Sequence, residues 1–383
     1  MFAEIKQNVS RNLSNLPGWR TKRHIIVIES DDWGSIRMSS KESFHKLKQA
    51  RIDVDKNHYN SNDALESNTD LEMLMEVLSK HKDATGRNVV ITGVNVVANP
   101  NFEKIRENKF TQYVYEPYTE TCKKYPEHDM VHDLWKQGIQ DRLLVPVFHG
   151  REHLNTQRWM RALQNGCEST LLAFDHGVTG ISRGIGGVKL GSYQAAFDID
   201  TPSDLEYQKE VLKTGLDVFE ELYGYRSTFF IPTNGPFNNQ LEPVAKSLGI
   251  DYLGTGKIQI EPLGNNQYKK HFRFLGKKSN DGIIYMTRNA FFEPCSAKHA
   301  ASKNWVNDCL KEIEIAFKWH KPATISSHRV NYIGWLNENN RANGLKKLDE
   351  LLGQIIKRWP YVEFMTSIEL GELISKTKKV YSS

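Results

Sequence analysis

Short apolar, β-branched runs alternate with helical patterns along nearly the whole chain, and this alternation restricts the fold more than any other feature of the sequence. Such runs, bounded by turn residues, are typical of buried strands, whereas apolar residues spaced by three and four indicate helices. Parallel strands need crossover helices, so the alternation predicts an α/β fold. Seven to nine such units in one chain favour a (β/α) barrel over an open sheet.

The predicted elements cover the chain without a break that would mark a domain boundary. We therefore expect one domain over residues 1–383. The predicted strands are 24–29, 89–97, 143–148, 171–174, 228–231, 252–253, 283–286, 323–326 and 362–365. The predicted helices are 41–50, 71–80, 130–136, 156–163, 204–222, 241–248, 305–319 and 345–356.

Charge and hydropathy exclude two classes of partner. The chain has 51 Lys and Arg against 46 Asp and Glu, a net charge of +5. No basic tract concentrates this small excess, so we expect no nucleic-acid partner. No apolar run reaches the roughly 18 residues that span a bilayer, and the first 23 residues lack the pattern of a signal peptide. We expect a cytoplasmic protein without a membrane span, and its oligomeric state is open.

Two adjacent carboxylates, Asp31 and Asp32, close the first predicted strand. The carboxyl ends of strands are where α/β folds place their sites. One of the two can ligate a cation while its neighbour acts as a base, provided that a turn at Gly34 aims both into one cleft. The alternative is that an Asp caps the segment that follows.

Two histidines, His149 and His153, stand four residues apart where the third predicted strand ends. If a helix starts there, both imidazoles share one face. Together with a carboxylate from elsewhere they would form a three-point site for Zn²⁺ or a similar divalent ion. Gly150 directly after the first histidine excludes the His-Glu-x-x-His metalloprotease motif. The alternative is a pair of surface histidines.

A further histidine, His328, ends a late apolar strand, where it could also be a structural residue bonded to the backbone. What matters is the recurrence of polar groups at three strand ends. In a barrel such ends converge on one rim, so the Asp pair, the His pair and His328 are expected to meet in one site.

In order and type, these motifs resemble those of the polysaccharide deacetylase family, the NodB-like carbohydrate esterases. That resemblance implies a distorted (β/α) barrel of about seven strands. It implies that Asp32, His149 and His153 hold one divalent metal ion, with zinc expected and cobalt, nickel or manganese as alternatives. It also implies that Asp31 is the general base and His328 the general acid. The implied reaction is metal-dependent removal of N- or O-linked acetyl groups from a carbohydrate or glycan precursor.

The chain also departs from the family pattern. The Arg-Pro-Pro-Tyr motif is altered to a Thr-Phe-Phe-Ile-Pro-Thr-Asn-Gly stretch at 228–235. The arginine that supports the base is therefore open among Arg226, Arg288 and Arg329. The longer spacing between the first two motifs indicates an inserted segment or lid within about 53–140.

Three residues near the motifs are expected to bind substrate. They are Trp33, whose ring could stack on a sugar, Asn234, whose backbone N–H could hold an oxyanion, and Arg329 beside His328.

Two other functions remain open. A glycoside hydrolase on a related barrel would need two carboxylates about 5–9.5 Å apart, which Asp31 with Glu152 or Glu293 could supply. The histidine pair disfavours this reading. The second alternative is a catalytically inactive, carbohydrate-binding homologue, which the altered Pro232 region allows.

Overall fold

The computed structural model of the chain describes residues 2–56, 58–181, 192–296 and 303–380. Within these ranges it contains thirteen strands, fourteen α-helices and two short 3-10 helices at Asn239–Leu241 and Arg329–Asn331. The strands are β1 (Ile25–Trp33), β2 (Ile91–Val96), β3 (Ala98–Pro100), β4 (Tyr115–Pro117), β5 (Leu144–Gly150), β6 (Phe229–Phe230), β7 (Tyr252–Gly254), β8 (Ile258–Gly264), β9 (Gln267–Phe272), β10 (Ile284–Met286), β11 (Ala290–Phe291), β12 (Ala323–His328) and β13 (Glu363–Met365). The helices are α1 (Phe2–Ser14), α2 (Lys41–Gln49), α3 (His58–Asn62), α4 (Asn68–Ser79), α5 (Phe102–Glu107), α6 (Tyr118–Cys122), α7 (Val131–Gln140), α8 (Thr156–Gln164), α9 (Glu168–Asp175), α10 (Asp204–Tyr223), α11 (Glu242–Ser247), α12 (Trp305–Lys318), α13 (Glu338–Arg358) and α14 (Ser367–Val380).

The main sheet confirms the predicted α/β class. Its strands follow the order β10-β7-β6-β5-β2-β1-β12-β11, and β13 also pairs with β1. The pairings within it are parallel. In the described part of the chain the order ends at β10 and β11 without a pairing between them, so the barrel is open at that seam. The sheet has nine strands, two more than the expected seven.

Both faces of the sheet are buried, which explains why its strands are continuous apolar runs. Alternate residues of β1 point to opposite faces: Ile26 and Ile28 belong to the outer core under the helices, and Ile25 and Val27 to a second, inner cluster. Leu370 of α14 belongs to that inner cluster and is fully buried. Packing on both faces therefore holds the central strands in a fixed register.

Local sequence signals place several of the helices. Ser67 caps α4 in a capping box with Asp70, and α10 ends at Gly224, whose φ of 76° favours glycine. The predicted strand at 171–174 is wrong, because this stretch lies in α9. A run of four apolar residues does not distinguish strand from helix, and here Phe174 packs against Trp159 of α8 with ring centroids 5.6 Å apart.

The segment 53–140, expected to hold an insertion or lid, contributes β2 to the middle of the sheet. The same segment supplies α3 and α4, which precede β2. Helix α1 and the antiparallel hairpin β8–β9 lie outside the predicted elements. Among the described helices, none is long and apolar enough to cross a bilayer.

Candidate metal centre and active site

A cleft of about 780 Å³ lies at the carboxyl ends of the central strands. Strand β1 brings Asp31 and Asp32 to it, β5 brings His149, and β12 ends on His328. His153, just after β5, also lines it. In the parallel pairing of β1 with β12, Asp31 is the register partner of His328. The sheet thus brings the five predicted metal and catalytic residues into one cleft.

Asp31 and Asp32 share this cleft because β1 is irregular at its end. In a regular strand adjacent side chains point to opposite faces. Here the register of β1 against β2 shifts between Ser30 and Trp33. Asp32 also has a φ of 79°, in the left-handed region. Such a backbone costs on the order of 1–3 kcal/mol outside glycine, and it is characteristic of functional sites.

Asp32, His149 and His153 form a compact, buried set of possible metal ligands. One ligand atom from each residue lies within 4.8 Å of the other two. Asp32 Oδ1 is 3.0 Å from His153 Nε2 and 3.6 Å from His149 Nε2. Two imidazoles and one carboxylate suit Zn²⁺ and similar divalent ions, and they leave coordination positions for water and substrate.

The hydrogen bonds of the two imidazoles fit such an ion. His149 Nδ1 lies 2.7 Å from the carbonyl oxygen of Ile231, so this nitrogen carries the proton and the lone pair is on Nε2. Within the described ranges, His149 Nε2 and His153 Nδ1 are buried without a hydrogen-bond partner. Buried polar atoms normally have a partner, since leaving one without costs about 1–3 kcal/mol. These residues therefore fit a divalent ion.

The electrostatics of the set favour the ligating protonation states. Burial lowers the pKa of His153, although the Asp32 carboxylate opposes this shift, so its neutral form is favoured. For Asp32, burial raises the pKa, but His153, His149 and Arg37 outweigh it and hold the pKa well below its usual value. A metal ion binds an ionised carboxylate and neutral imidazoles.

Arg288 holds Asp31 through two parallel hydrogen bonds. Its Nη1 donates to Oδ2 over 2.7 Å and its Nη2 to Oδ1 over 2.5 Å, while Nε donates to Glu29 Oε2 over 2.5 Å. Burial raises the pKa of Asp31, but the charge and hydrogen bonds of Arg288 outweigh burial and lower it. Of the three arginines that the sequence left open, Arg288 contacts Asp31, whereas Arg226 binds Asp217 and Glu220 on α10.

His328 lies beside Asp31 and has a carboxylate partner on its other nitrogen. Its Nε2 is 3.8 Å from Asp31 Oδ2, and its Nδ1 is 2.5 Å from Glu293 Oε1. Glu293 is fixed in turn by Asn331, which donates to its Oε2 over 2.7 Å. Burial lowers the pKa of His328, but Glu293, Asp32 and Asp31 outweigh it and raise the pKa to about 10. The imidazole is therefore protonated at neutral pH, as a proton donor must be.

Arg329 lies beneath the cleft, which contradicts its expected contact with substrate. The side chain is fully buried. It donates to Asp63 Oδ1 and Glu66 Oε2 over 2.9 Å each, and to the carbonyl oxygen of Ser35. Glu66 also accepts from the backbone N–H of Gly34. Arg329 thus stabilises the turn that follows the Asp pair and cannot reach a ligand.

Trp33 and Asn234, the other expected substrate residues, lie in different environments. Trp33 is fully buried, donates from Nε1 to Ser30 Oγ over 3.0 Å, and meets Trp135 edge-on. This core position contradicts a stacking role on sugar. Asn234 is exposed, lines the cleft and has a φ of 55°. Its contact with substrate stays a prediction.

The structure adds residues that the sequence did not single out. Arg37 Nε lies 2.9 Å from Asp63 Oδ2 and its Nη2 3.5 Å from Asp32 Oδ2, with the guanidinium over the Tyr59 ring. The sequence offers Glu293 as a carboxylate for glycoside hydrolysis and gives no signal that it pairs with His328. A weak signal for Tyr59 and Asp63 exists in the polar stretch that follows the first strand, but no motif marks either residue.

No family model matches the sequence, and no curated protein does. Among solved structures, the chain is similar to a protein from Mycobacterium smegmatis assigned as a polysaccharide deacetylase, at 10% identity and a TM-score of 0.44 over 94% of each chain. It is also similar to a Pseudomonas aeruginosa PAO1 protein with the same assignment, at 9% identity and a TM-score of 0.44 over 92% of this chain and 91% of that one. The PuuE allantoinase matches at 10% identity and a TM-score of 0.44 over 93% of each chain. Likenesses this distant do not identify an activity.

Proposed function

We propose that this protein is a metal-dependent hydrolase that removes N- or O-linked acetyl groups from a carbohydrate or glycan precursor. One observation carries the proposal: a buried Asp-His-His set shares one cleft with an arginine-held carboxylate, Asp31, and a histidine held by a carboxylate, His328. A metal ion, a general base and a general acid can together carry out acyl hydrolysis. The carbohydrate is inferred from the resemblance of the sequence motifs.

The ion would be held by Asp32, His149 and His153, and we propose zinc, with cobalt, nickel or manganese as alternatives. When bound, a divalent ion supplies Lewis acidity, which polarises an acyl carbonyl and lowers the pKa of water. The remaining chemistry belongs to the side chains around it.

In the proposed reaction Asp31 accepts the proton of the attacking water. Arg288 keeps this carboxylate ionised and fixes both of its oxygens in the cleft. As the tetrahedral intermediate collapses, His328 Nε2 donates a proton to the departing amine or alkoxide, while Glu293 on Nδ1 stabilises the imidazolium. The backbone N–H near Asn234, at the rim of the cleft, is a candidate donor to the developing oxyanion.

The carboxylates that a glycosidase would need are engaged elsewhere. Glu152 is buried, and its Oε1 accepts from Arg151 Nε over 2.7 Å. Glu293 is bonded to His328 and Asn331. Neither is therefore free to flank a glycosidic bond together with Asp31. The intact polar site also supports an active enzyme over an inactive binding protein.

The test is an acetate-release screen on metal-reconstituted protein, with elemental analysis of the same samples. Substrates are N-acetylated and O-acetylated sugars and their nucleotide-linked forms. We expect one ion per chain and acetate release. His149→Ala and His153→Ala should lose both, whereas His81→Ala, which alters a surface histidine paired with Asp349, should lose neither.

Two results would contradict the proposal. Release of reducing sugar without acetate would indicate a glycosidase. Stoichiometric metal in the wild type without turnover of any acetylated sugar would indicate an inactive binding protein.

A further inference from the structure

Helix α1 packs against the body of the protein through its polar residues. Arg11 Nη2 lies 2.8 Å from Glu312 Oε1 of α12, and Asn12 Oδ1 accepts from Trp319 Nε1 over 2.9 Å. The apolar residues Val9 and Leu13 are instead 52% and 59% exposed. Over residues 9–13 this is the reverse of the usual amphipathic helix, which buries its apolar stripe. The stripe is therefore free to contact something other than the core.

The apolar stripe of α1 forms one wall of a groove of about 510 Å³. The hairpin β8–β9 forms the opposite wall, where the cross-strand pair Ile258 and Phe272 is 52% and 65% exposed. Leu275, which is 6% exposed, also lines the groove. A groove with apolar walls on two sides suits an extended apolar chain, whereas insertion into a membrane surface requires a projecting apolar face.

This groove adjoins the candidate active-site cleft. Ser10, Ser14 and Lys257 line both cavities. Lys257 Nζ donates to Ser14 Oγ over 3.0 Å, so an ammonium group lies at the junction. Within the described residues no carboxylate lies within ion-pair distance of it. A molecule that passes from cleft to groove would meet a polar junction and then an apolar channel.

We propose that the substrate is amphiphilic, with an acetylated sugar in the cleft and a long apolar chain attached to that sugar in the groove between α1 and the β8–β9 hairpin. This inference rests on the proposed deacetylase function and specifies its substrate class. The polar group that links sugar and chain would lie beside Lys257. The apolar contacts explain why Val9, Leu13, Ile258 and Phe272 remain exposed together, since contiguous apolar patches mark binding surfaces.

The probes are methyl, butyl and octyl N-acetylglucosaminides, all below their micellar concentrations. Each methylene that is fully buried should raise kcat/KM about fourfold, because its transfer from water contributes about 0.8 kcal/mol. If only two methylenes of the octyl chain are buried, kcat/KM for the octyl compound should be about sixteenfold that for the methyl compound. Calorimetric binding of the same compounds should show affinity that rises with chain length and a negative heat-capacity change.

In Leu13→Asp and in Phe272→Asp, the ratio of kcat/KM for the octyl compound to kcat/KM for the methyl compound should fall to about one. A ratio is insensitive to any loss that affects both substrates alike. The matched control is Tyr361→Asp, at an apolar residue that is 83% exposed away from the groove, and it should retain the ratio.

The outcomes separate this inference from the proposed function. Binding that strengthens with chain length, without acetate release, would contradict the deacetylase function and still support binding of the apolar chain in the groove. Equal rates and equal binding for all chain lengths would overturn the amphiphilic substrate and leave the deacetylase. Two other results would overturn the amphiphilic substrate. If dimerisation of the protein removes chain-dependent binding, the groove is an interface with a second copy of the chain. If the protein binds vesicles, Leu13→Asp abolishes that binding and the octyl-to-methyl ratio stays near one, the groove contacts a membrane.

Discussion

Replacement of Arg288 by methionine should raise the pKa of Asp31 and move the acid limb of the pH–rate profile upward. The arginine donates two charge-assisted hydrogen bonds to Asp31, and without them only His328 and His149 oppose burial, which raises this pKa. Each such bond contributes about 1.5–3 kcal/mol, and one pKa unit corresponds to about 1.4 kcal/mol. The two bonds together therefore favour the ionised form of Asp31 by up to about 3–6 kcal/mol. We therefore expect the pKa of Asp31 to rise when Arg288 is removed, because an arginine beside an aspartate favours its ionised form.

The sign follows from the role of the base, which works only when ionised. A higher pKa for Asp31 means that a larger fraction is protonated at a given acidic pH, so activity falls at higher pH than in the wild type. The assay is kcat/KM for acetate release from pH 4 to 9, with metal content measured at each pH, because protonation of the histidine ligands also lowers activity in acid. Arg226→Met, which removes an arginine far from Asp31, is the control and should leave the profile unchanged. An unshifted acid limb in Arg288→Met with full metal content would refute the proposed support of the base.

Four further outcomes are expected. Asp31→Asn should retain the ion but lose about 10²–10⁴-fold in hydrolysis, since the amide cannot accept the proton; loss of the metal in elemental analysis would make Asp31 a ligand. Because the pKa of His328 is raised to about 10, activity should persist through neutral pH and fall as the imidazole deprotonates. This alkaline limb of the pH–rate profile should lie at or below pH 10, because a bound divalent ion lowers the pKa of a nearby imidazole. His328→Gln should remove the alkaline limb and slow amide hydrolysis far more than that of an activated aryl acetate, which needs no acid; equal losses on both would indicate a structural histidine. Arg329→Met leaves Glu66 buried without a cation and Asp63 with Arg37 alone, and it should destabilise the protein by about 3–5 kcal/mol in urea unfolding, whereas an unchanged midpoint would contradict the account of this pair network.

The periodicity of the chain was sufficient to predict the parallel sheet, because strands buried on both faces must be continuous apolar runs. It was also sufficient to predict that motifs distant in the sequence lie close together in the fold. Asp32 and His149 lie at the ends of strands and His153 just after one, and the carboxyl ends of parallel strands share one edge of the sheet. The grouping therefore follows from topology alone and needs no knowledge of side-chain packing.

Side-chain direction, in contrast, depends on contacts between residues distant in sequence. Trp33 and Arg329 stand beside the motifs in the sequence, yet both turn into the interior, because the irregular end of β1 and the Asp63–Glu66 pair hold them there. Arg288 could be distinguished from the other arginines only by its position opposite Asp31. The positions of residues relative to the apolar runs predict which of them lie near the end of a strand. The packing around each residue decides which of them face the cleft.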